Sequence, residues 1–407
     1  MESKEDSSLF CFCVFHHQPF QRGIEGVEEA SIIDQLIYKY PSSLSDRSVE
    51  DFISAIISLY TYTTLTLQER NLDFLAWSKS KVAIRTIKNQ EDKSILFFVL
   101  RLPEQYSNSS IIKTIDYLKN GIFFAIGPEK ILLIPELKAY LTKHGNKICS
   151  IFNSLSNLNP IPFSFINMSN CEWHRSSIAS VLTQVHIMQN FPDIWGISCF
   201  VDNLLLVSHT DIDIIRHFNF VEDSKKVTVY LTKSDRSKLI DYPRSIAEIP
   251  ELEMIESLLL KFQFKNVVFY LLSNPKITEE TLKNVEQILN QIISEVSVVF
   301  HDETKLHYPK NTLFYNRLLE MLRCSGKTTK EFQKNCVFAH DMFNRHSELK
   351  DIVLKNSIEF FVGMNIVNLE NFSSINENPK LSLIDMFDET IKANPELFRL
   401  LQSFNLQ

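Results

Sequence analysis

The chain has 407 residues, a formal net charge of −7 and only 8 glycines, and this composition argues against several classes of function. Glycine usually makes up roughly 7% of a protein, and phosphate-binding loops depend on it. No G-x-x-x-x-G-K-[ST] or G-x-G-x-x-G motif occurs, so a nucleotide site in this chain is disfavoured. The negative charge and the lack of a long basic run argue against general nucleic-acid binding.

We expect a cytoplasmic protein of two to four domains with a large aromatic core. The first residues are acidic and polar, which is not typical of a signal peptide. No apolar run reaches the ~18 residues that span a bilayer. The seven cysteines, an odd number, favour a reducing compartment.

The first part of the chain gives the clearest pattern, which is two strands followed by an amphipathic helix. Apolar runs predict strands at Leu9–His17 and Ile32–Tyr40, and Pro41 is expected to end the second one. Two capping boxes, Ser43-x-x-Asp46 and Ser48-x-x-Asp51, predict the start of a helix over Asp46–Thr64. Apolar residues at helical spacing predict one buried stripe: Val49, Phe52, Ile53, Ile56, Ile57 and Tyr60.

Three strands and then two or three helices complete this first region. Short polar turns between apolar runs predict an antiparallel meander. Gly145 is expected to separate the last two helices. The order β-β-α-β-β-β-α-α predicts an α+β domain with an antiparallel sheet flanked by helices. The strands are predicted at Leu72–Trp77, Lys81–Lys88 and Ser94–Leu102, and the helices at Ser109–Ala125, Ile134–Lys143 and Lys147–Leu158.

The rest of the chain repeats this scheme with weaker signals, so we predict three domains, over residues 1–165, 166–300 and 301–407. In the second, strands are predicted at Ile194–Val201, Leu204–Val207, Lys226–Thr232 and a hairpin within Met254–Leu272, with helices at Ser176–Gln189, after Thr210-x-x-Asp213 and at Ile277–Val296. In the third, helices are predicted at Thr312–Leu322, Val337–Val353, Leu381–Lys392 and Pro395–Phe404, and strands at Ile358–Val362 and Met364–Leu369 around Gly363.

The cysteines, histidines and the glycine-containing loop that could form a metal, catalytic or phosphate site have simpler interpretations as parts of the fold. Cys11-x-Cys13 with His16-His17 resembles a metal cluster, but it lies on a buried strand, where cysteines usually pack in the core. Cys171 and His174 lack a second pair at zinc spacing. Ser325-Gly326-Lys327-Thr328 is interpreted as a connector between helices. We therefore expect no catalytic residue, no metal and no cofactor; an enzyme with a dispersed site remains the alternative.

Four residue runs resemble one known family. The segment Tyr40–Leu59, which continues from a strand through YPSS and LSD into an amphipathic helix, resembles the first longin domain of the Hermansky–Pudlak syndrome type-four and Ccz family. KICSIFNSLSNL at Lys147–Leu158 is similar to the end of that domain. WGISCFVDNLLLVS at Trp195–Ser208 and SIEFFVGMNIVNLENFSSI at Ser357–Ile375 resemble the hairpins of the second and third longin domains.

This resemblance implies three longin-like domains and a heterodimer with a second three-longin subunit. It implies a guanine nucleotide exchange factor for a Rab-family GTPase, peripherally recruited to late endosomes, lysosomes or lysosome-related organelles, without covalent chemistry. A non-enzymatic longin adaptor or tether that binds GTP-loaded Rab is the alternative. The first-domain strand and helix would form the interface with the partner subunit or GTPase, and its candidate residues are Tyr38, Tyr40, Asp46, Arg47, Glu50 and Ser54.

Overall fold

The computed structural model divides the chain into two compact units, residues 1–154 and 155–407. Its strands pair into antiparallel sheets and its helices pack on them, so the fold is α+β, as predicted. No helix in the part of the chain that the structure describes is long and apolar enough to cross a membrane. The structure describes residues 11–18, 32–66, 72–77, 80–89, 93–104, 108–158, 175–201, 204–232, 255–299, 311–316, 321–325, 330–346, 348–355, 359–366 and 369–376.

The first unit contains a five-stranded antiparallel sheet in the order β2-β1-β5-β4-β3. The first of the described strands therefore lies in the interior of the sheet, between the second and the fifth. The predicted strand positions are confirmed to within a few residues. The strands are β1 at Cys11–His17, β2 at Leu36–Tyr40, β3 at Phe74–Trp77, β4 at Ser80–Lys88 and β5 at Ile95–Pro103.

Three helices accompany this sheet: α1 at Asp46–Thr61, α2 at Asn108–Leu132 and α3 at Ile134–Leu158. The resulting order, β-β-α-β-β-β-α-α, is the predicted one. Helix α2 breaks its helical conformation at Gly127, where φ is 80°. A short 3-10 helix over Ile32–Gln35 occupies the first half of the predicted second strand, so that part of the prediction is wrong.

Helix α3 runs without interruption through Gly145, so the prediction that Gly145 ends a helix is wrong. The reason is a close approach between α3 and β2. A Cβ atom at Gly145 would lie 2.6 Å from Cζ of Tyr38, so the glycine makes room for that ring. A glycine selected by packing cannot be distinguished by sequence alone from one that ends a helix.

The start of α1 is capped by Ser45 and not by Ser43 or Ser48, which corrects both predicted capping boxes. Because the helix begins at Asp46, Ser45 is its N-cap residue, and its Oγ accepts a hydrogen bond from the amide of Ser48 at 3.2 Å. The end of the helix also differs, since residues 62–66 form a π-helical turn.

The predicted apolar stripe of α1 is confirmed as the contact between that helix and the sheet. Val49, Ile53, Ile56 and Tyr60 are buried. They pack in one cluster with residues from three strands, where Phe15 of β1 stacks on Phe97 of β5 at a ring-centroid distance of 4.7 Å. The partly buried members of the stripe, Phe52 and Ile57, pack against the same cluster.

The second sheet has the order β7-β6-β10-β9-β8. The hairpin predicted within Met254–Leu272 is confirmed, and its turn contains Lys265 with a φ of 54°. Asp211, not Thr210, caps the short helix, because its Oδ1 accepts the amide of Asp213 at 2.9 Å. The elements are α4 at Arg175–Asn190, β6 at Ile194–Val201, β7 at Leu204–Ser208, α5 at Ile212–Arg216 with a 3-10 turn at His217–Phe220, β8 at Lys226–Leu231, β9 at Ile255–Phe264, β10 at Val267–Ser273 and α6 at Glu279–Val299.

The third sheet has the order β12-β11-β15-β14-β13. Here several predictions are wrong. The predicted helix Thr312–Leu322 is replaced by two strands, and part of the predicted helix Val337–Val353 is a strand. Short apolar runs do not distinguish a strand from a buried helix segment. The elements are β11 at Asn311–Asn316, β12 at Met321–Ser325, α7 at Lys330–Arg345, β13 at Asp351–Lys355, β14 at Glu359–Ile366 and β15 at Leu369–Asn376.

Gly363 does not separate two strands, because it lies within β14. An added Cβ there would be 3.2 Å from Phe372 and 3.3 Å from Ala339, so close packing accounts for the glycine. Ser325 is the last residue of strand β12, so the segment that begins there does not join two helices as predicted; residues 326–329 lie outside the described residues. The helices predicted at Leu381–Lys392 and Pro395–Phe404 lie outside the described residues.

Replacing Ile56 by Asp should destabilise the first unit, because the side chain of Ile56 is fully buried in the α1 stripe. An unpaired buried carboxylate belongs to the class of changes that cost about 4 kcal/mol or more. The control is Ser58→Asp, which places the same charge on the exposed side of α1. Thermal melting followed by circular dichroism should show an early transition for Ile56→Asp alone. Equal melting of the two variants would contradict the placement of this helix face.

Candidate partner interface

The predicted interface residues come from two neighbouring elements that the structure brings together. Tyr38 and Tyr40 lie on β2, and the other four lie on α1. The two elements are joined by Lys39, whose Nζ donates to Oδ1 of Asp46 at 2.5 Å and to the carbonyl oxygen of Leu44 at 2.8 Å. Strand β2 and the first turn of α1 are therefore held next to each other in the first unit.

Tyr38, however, is a core side chain. It is only 9% exposed, and its hydroxyl donates to Oδ1 of Asn146 on α3 at 3.1 Å. Its ring occupies the space left by Gly145 on the same helix. Burial raises the pKa of the Tyr38 hydroxyl, so it stays a neutral hydrogen-bond donor. Tyr38 thus attaches the end strand to α3 and does not offer a surface to a partner.

The two tyrosines and the α1 residues lie on opposite faces of the sheet. Alternate residues of a strand point to opposite sides, and Tyr38 faces α3 while its neighbour Lys39 reaches α1. Tyr40 is two residues beyond Tyr38, which places it on the Tyr38 side, and it is partly buried. The six candidate residues do not form one surface, because the sheet itself separates them.

The exposed side of α1 is the part of the predicted interface that faces outward. Asp46 and Arg47 are exposed, and Glu50 is partly exposed. Ser54 is partly buried, and its Oγ donates to the carbonyl oxygen of Glu50 at 2.6 Å, one turn earlier. We call this surface the outer α1 face; its exposed residues between 46 and 61 are Asp46, Arg47, Ser48, Asp51, Ser58 and Thr61.

The outer α1 face is polar and carries both signs of charge. A surface of this kind suits a polar, transient protein contact more than a permanent apolar one. Mixed charges favour partner selection and association rate more than raw affinity. Such a face can orient another protein.

Strand β2 adds a second feature, because it is an end strand of the sheet among the described residues. End strands leave backbone N–H and C=O groups available for pairing with another chain. A charged lysine on an end strand normally discourages such pairing. Here the Lys39 side chain is directed into its ion pair with Asp46, and only 21% of it is exposed.

Five of the cysteines considered for catalysis or metal binding are buried. Cys11 and Cys13 are both buried, as predicted, with their Sγ atoms 3.5 Å apart. Burial raises the pKa of Cys149 to about 12, which makes that thiol a poor nucleophile. Cys171 and His174 lie outside the described residues. Within the described ranges no three His, Cys, Asp or Glu side chains form a cluster able to hold a metal ion.

One buried polar pair was missed by sequence reasoning. Nδ1 of His340 on α7 lies 2.8 Å from Oε2 of Glu370 on β15, and their side chains are 8% and 0% exposed. The pair links the helix to the centre of the third sheet. The glutamate in the sequence LENFSSIN of β15 was the available signal, but its partner is 30 residues away. We assign the pair a structural role, since a buried ionisable group needs a partner.

Comparison with known proteins does not assign the chain to a family. No protein-family model matches the chain, and no curated protein matches it. The features that bear on function are therefore the folds of the three sheets, the outer α1 face and the residue runs quoted above.

Replacing Tyr38 by Phe should lower the free energy of unfolding by about 1 kcal/mol, because it removes the hydrogen bond to Asn146. Gly145→Leu should cost more, since it would push against the Tyr38 ring. Denaturant unfolding of the full chain measures both effects. If Tyr38→Phe abolished partner binding while leaving stability unchanged, the structural role of Tyr38 would be wrong.

Proposed function

We propose that this chain is a subunit of a heterodimeric guanine nucleotide exchange factor for a Rab-family GTPase. The single observation that supports this most is the repeated sheet topology. Each of the three sheets is antiparallel, and each has the spatial order second-first-fifth-fourth-third strand. In each, a helix follows the second strand and precedes the third. This β-β-α-β-β-β order is the one expected of longin-like domains.

Three of the quoted residue runs coincide with secondary-structure elements of these sheets. Trp195–Ser208 covers β6 and β7, the first hairpin of the second sheet. Ser357–Ile375 covers β14 and β15, the last hairpin of the third sheet. Tyr40–Leu59 covers the passage from β2 into α1. On this proposal the three sheets are three longin-like domains, with boundaries near residues 165 and 300.

The proposed activity needs no covalent step. An exchange factor binds the nucleotide-free GTPase more tightly than the nucleotide-bound form, and this difference in affinity drives release. This activity needs side chains that bind the GTPase and no side chain that reacts with it. The charged and hydroxyl groups on the outer α1 face are of this kind. No cofactor or metal of its own is required.

The proposed GTPase contact is the outer α1 face, with the exposed Asp46 and Arg47 as its main polar groups and the partly exposed Glu50 beside them. Tyr38 is excluded from it by burial. The end strand β2 is proposed to contribute to contact with a second three-longin subunit through its backbone. Recruitment to late endosomes, lysosomes or lysosome-related organelles, by peripheral membrane contact, belongs to the same proposal; nucleic acid has no part in it.

The proposal is tested by nucleotide release. The full chain, co-purified with its bound subunit from cells, is mixed with endolysosomal Rab proteins loaded with a fluorescent GDP analogue. Release should accelerate by about tenfold or more, equivalent to about 1.4 kcal/mol or more. No acceleration with any of these GTPases would refute the exchange activity. Binding to GTP-loaded Rab in preference to nucleotide-free Rab would instead support a non-enzymatic adaptor.

A charge reversal at Arg47 should weaken the GTPase contact and leave the fold unchanged, because Arg47 is exposed. We expect Arg47→Glu to reduce the association rate by about tenfold at low salt, with a smaller reduction at high salt. The matched control is Lys138→Glu, the same charge change on an exposed position of α3. Stopped-flow binding measures the rate, and equal behaviour of the two variants would remove the outer α1 face from the interface.

A further inference from the structure

Strand β1 carries two thiols that are placed to react with each other. Cys11 and Cys13 are two residues apart, so they share the face of β1 that is directed toward α1, and their Sγ atoms are 3.5 Å apart. This is a hydrogen-bond distance between sulfur atoms, so one thiol can donate its proton to the other sulfur. An isolated core cysteine has no such partner.

A cation lies beside the outer thiol of this pair. Arg101 on β5 is the directly opposite ladder partner of Cys11, so both side chains leave the sheet on the same face. Nε of Arg101 donates to Oγ of Ser80 at 3.0 Å, which fixes the arginine side chain near this end of the sheet. The positive charge of the guanidinium favours a thiolate at the neighbouring cysteine.

The two thiols therefore differ in pKa and in exposure. The hydrogen bond from Cys13 and then the charge of Arg101 lower the pKa of Cys11, against the opposing effect of burial. The hydrogen bond to Cys11 and burial raise the pKa of Cys13. Cys11 is also the more exposed, at 8% against 0% for Cys13. An ionisable outer thiol next to a protonated inner thiol is the arrangement of an attacking and a resolving cysteine.

We propose that Cys11 and Cys13 form a dithiol that hydrogen peroxide oxidises to a reversible intrastrand disulfide. The Cys11 thiolate attacks one peroxide oxygen and the O–O bond breaks. The leaving oxygen takes a proton and departs as water, while Cys11 becomes a sulfenic acid. The Cys13 sulfur then attacks the Cys11 sulfur, the S–O bond breaks, and the Cys13 proton leaves with the oxygen as a second water. Two thiols lose two electrons in total, and one peroxide is reduced to two waters.

The strand geometry makes this disulfide easy to reduce. Alternate residues of a strand have Cα atoms about 6.6–6.8 Å apart, from a rise of about 3.3–3.4 Å per residue. Disulfides usually have Cα separations of up to about 6.8 Å, with most near 5.5–6 Å. Closure therefore needs a local contraction of β1, and strained disulfides are the labile, readily reversed ones. Such a bond would perturb the pairing of β1 with β2 and β5.

The test uses the reduced full chain and dilute hydrogen peroxide, followed by alkylation of the remaining thiols, tryptic digestion and mass spectrometry. The peptide from Glu5 to Arg22 contains both cysteines. We expect it to lose two hydrogen atoms, to resist alkylation and to recover both thiols after dithiothreitol. Its oxidation should be about tenfold faster than that of Cys199, a thiol on β6 that is 0% exposed.

Two serine variants separate the roles of the sulfurs, because serine is close in size to cysteine and its hydroxyl cannot form a disulfide. Thermal melting of both variants checks that they fold. Cys13→Ser should stop at the sulfenic or sulfinic acid of Cys11, and Cys11→Ser should leave Cys13 reduced. The control Cys149→Ser, which removes a thiol on α3, should oxidise at Cys11 and Cys13 like the wild type. Recovery of the wild-type peptide with both cysteines alkylated, or oxidation no faster than at Cys199, would overturn the proposal. Neither result depends on the exchange activity.

Discussion

The first unit depends on the position of β1, an interior strand with a packed layer on each face. On one face the rings of Phe15 and Phe97 stack, and Tyr60 of α1 meets Phe97 edge-on at a centroid distance of 5.0 Å. On the other face the ring of Phe12 lies 6.3 Å from that of Tyr38, which is held by α3. Because both faces of the sheet are filled, the side chains of an end strand such as β2 become part of the core. A partner is left with the far side of a covering helix and the outer edge of the end strand.

The three sheets share one topology but differ in the chemistry of the fifth strand. In the first two sheets this strand is almost wholly apolar, as ILFFVLRLP and VVFYLLS. In the third it reads LENFSSIN, and its buried residues include a glutamate, an asparagine and two serines. The His340–Glu370 pair satisfies the most costly of these groups. Burial of polar groups with specific partners fixes which residues meet, although it adds little net stability.

Regular patterns predicted the fold well where one face of an element is apolar over several turns or residues. The α1 stripe, strand β6 and the β9–β10 hairpin follow directly from their sequences. The failures have local causes. Thr312–Leu322 contains a short apolar run without a decisive period, and it forms parts of two strands. Gly145 carries no sign that it serves a neighbouring ring, because that ring lies 107 positions earlier, at Tyr38 (145 − 38).

The sequence by itself determined the element order of the first unit, the buried side of α1 and therefore its outward side, since helical periodicity fixes both at once. Asp46, Arg47 and Glu50 could thus be placed on the surface before any contact was known. Only the tertiary structure decided that Tyr38 is internal, that Lys39 reaches α1, and that Cys11 and Arg101 are neighbours. These relations depend on which strands pair and which helix covers them. The residues of a short strand do not predict which elements, distant in sequence, it will contact.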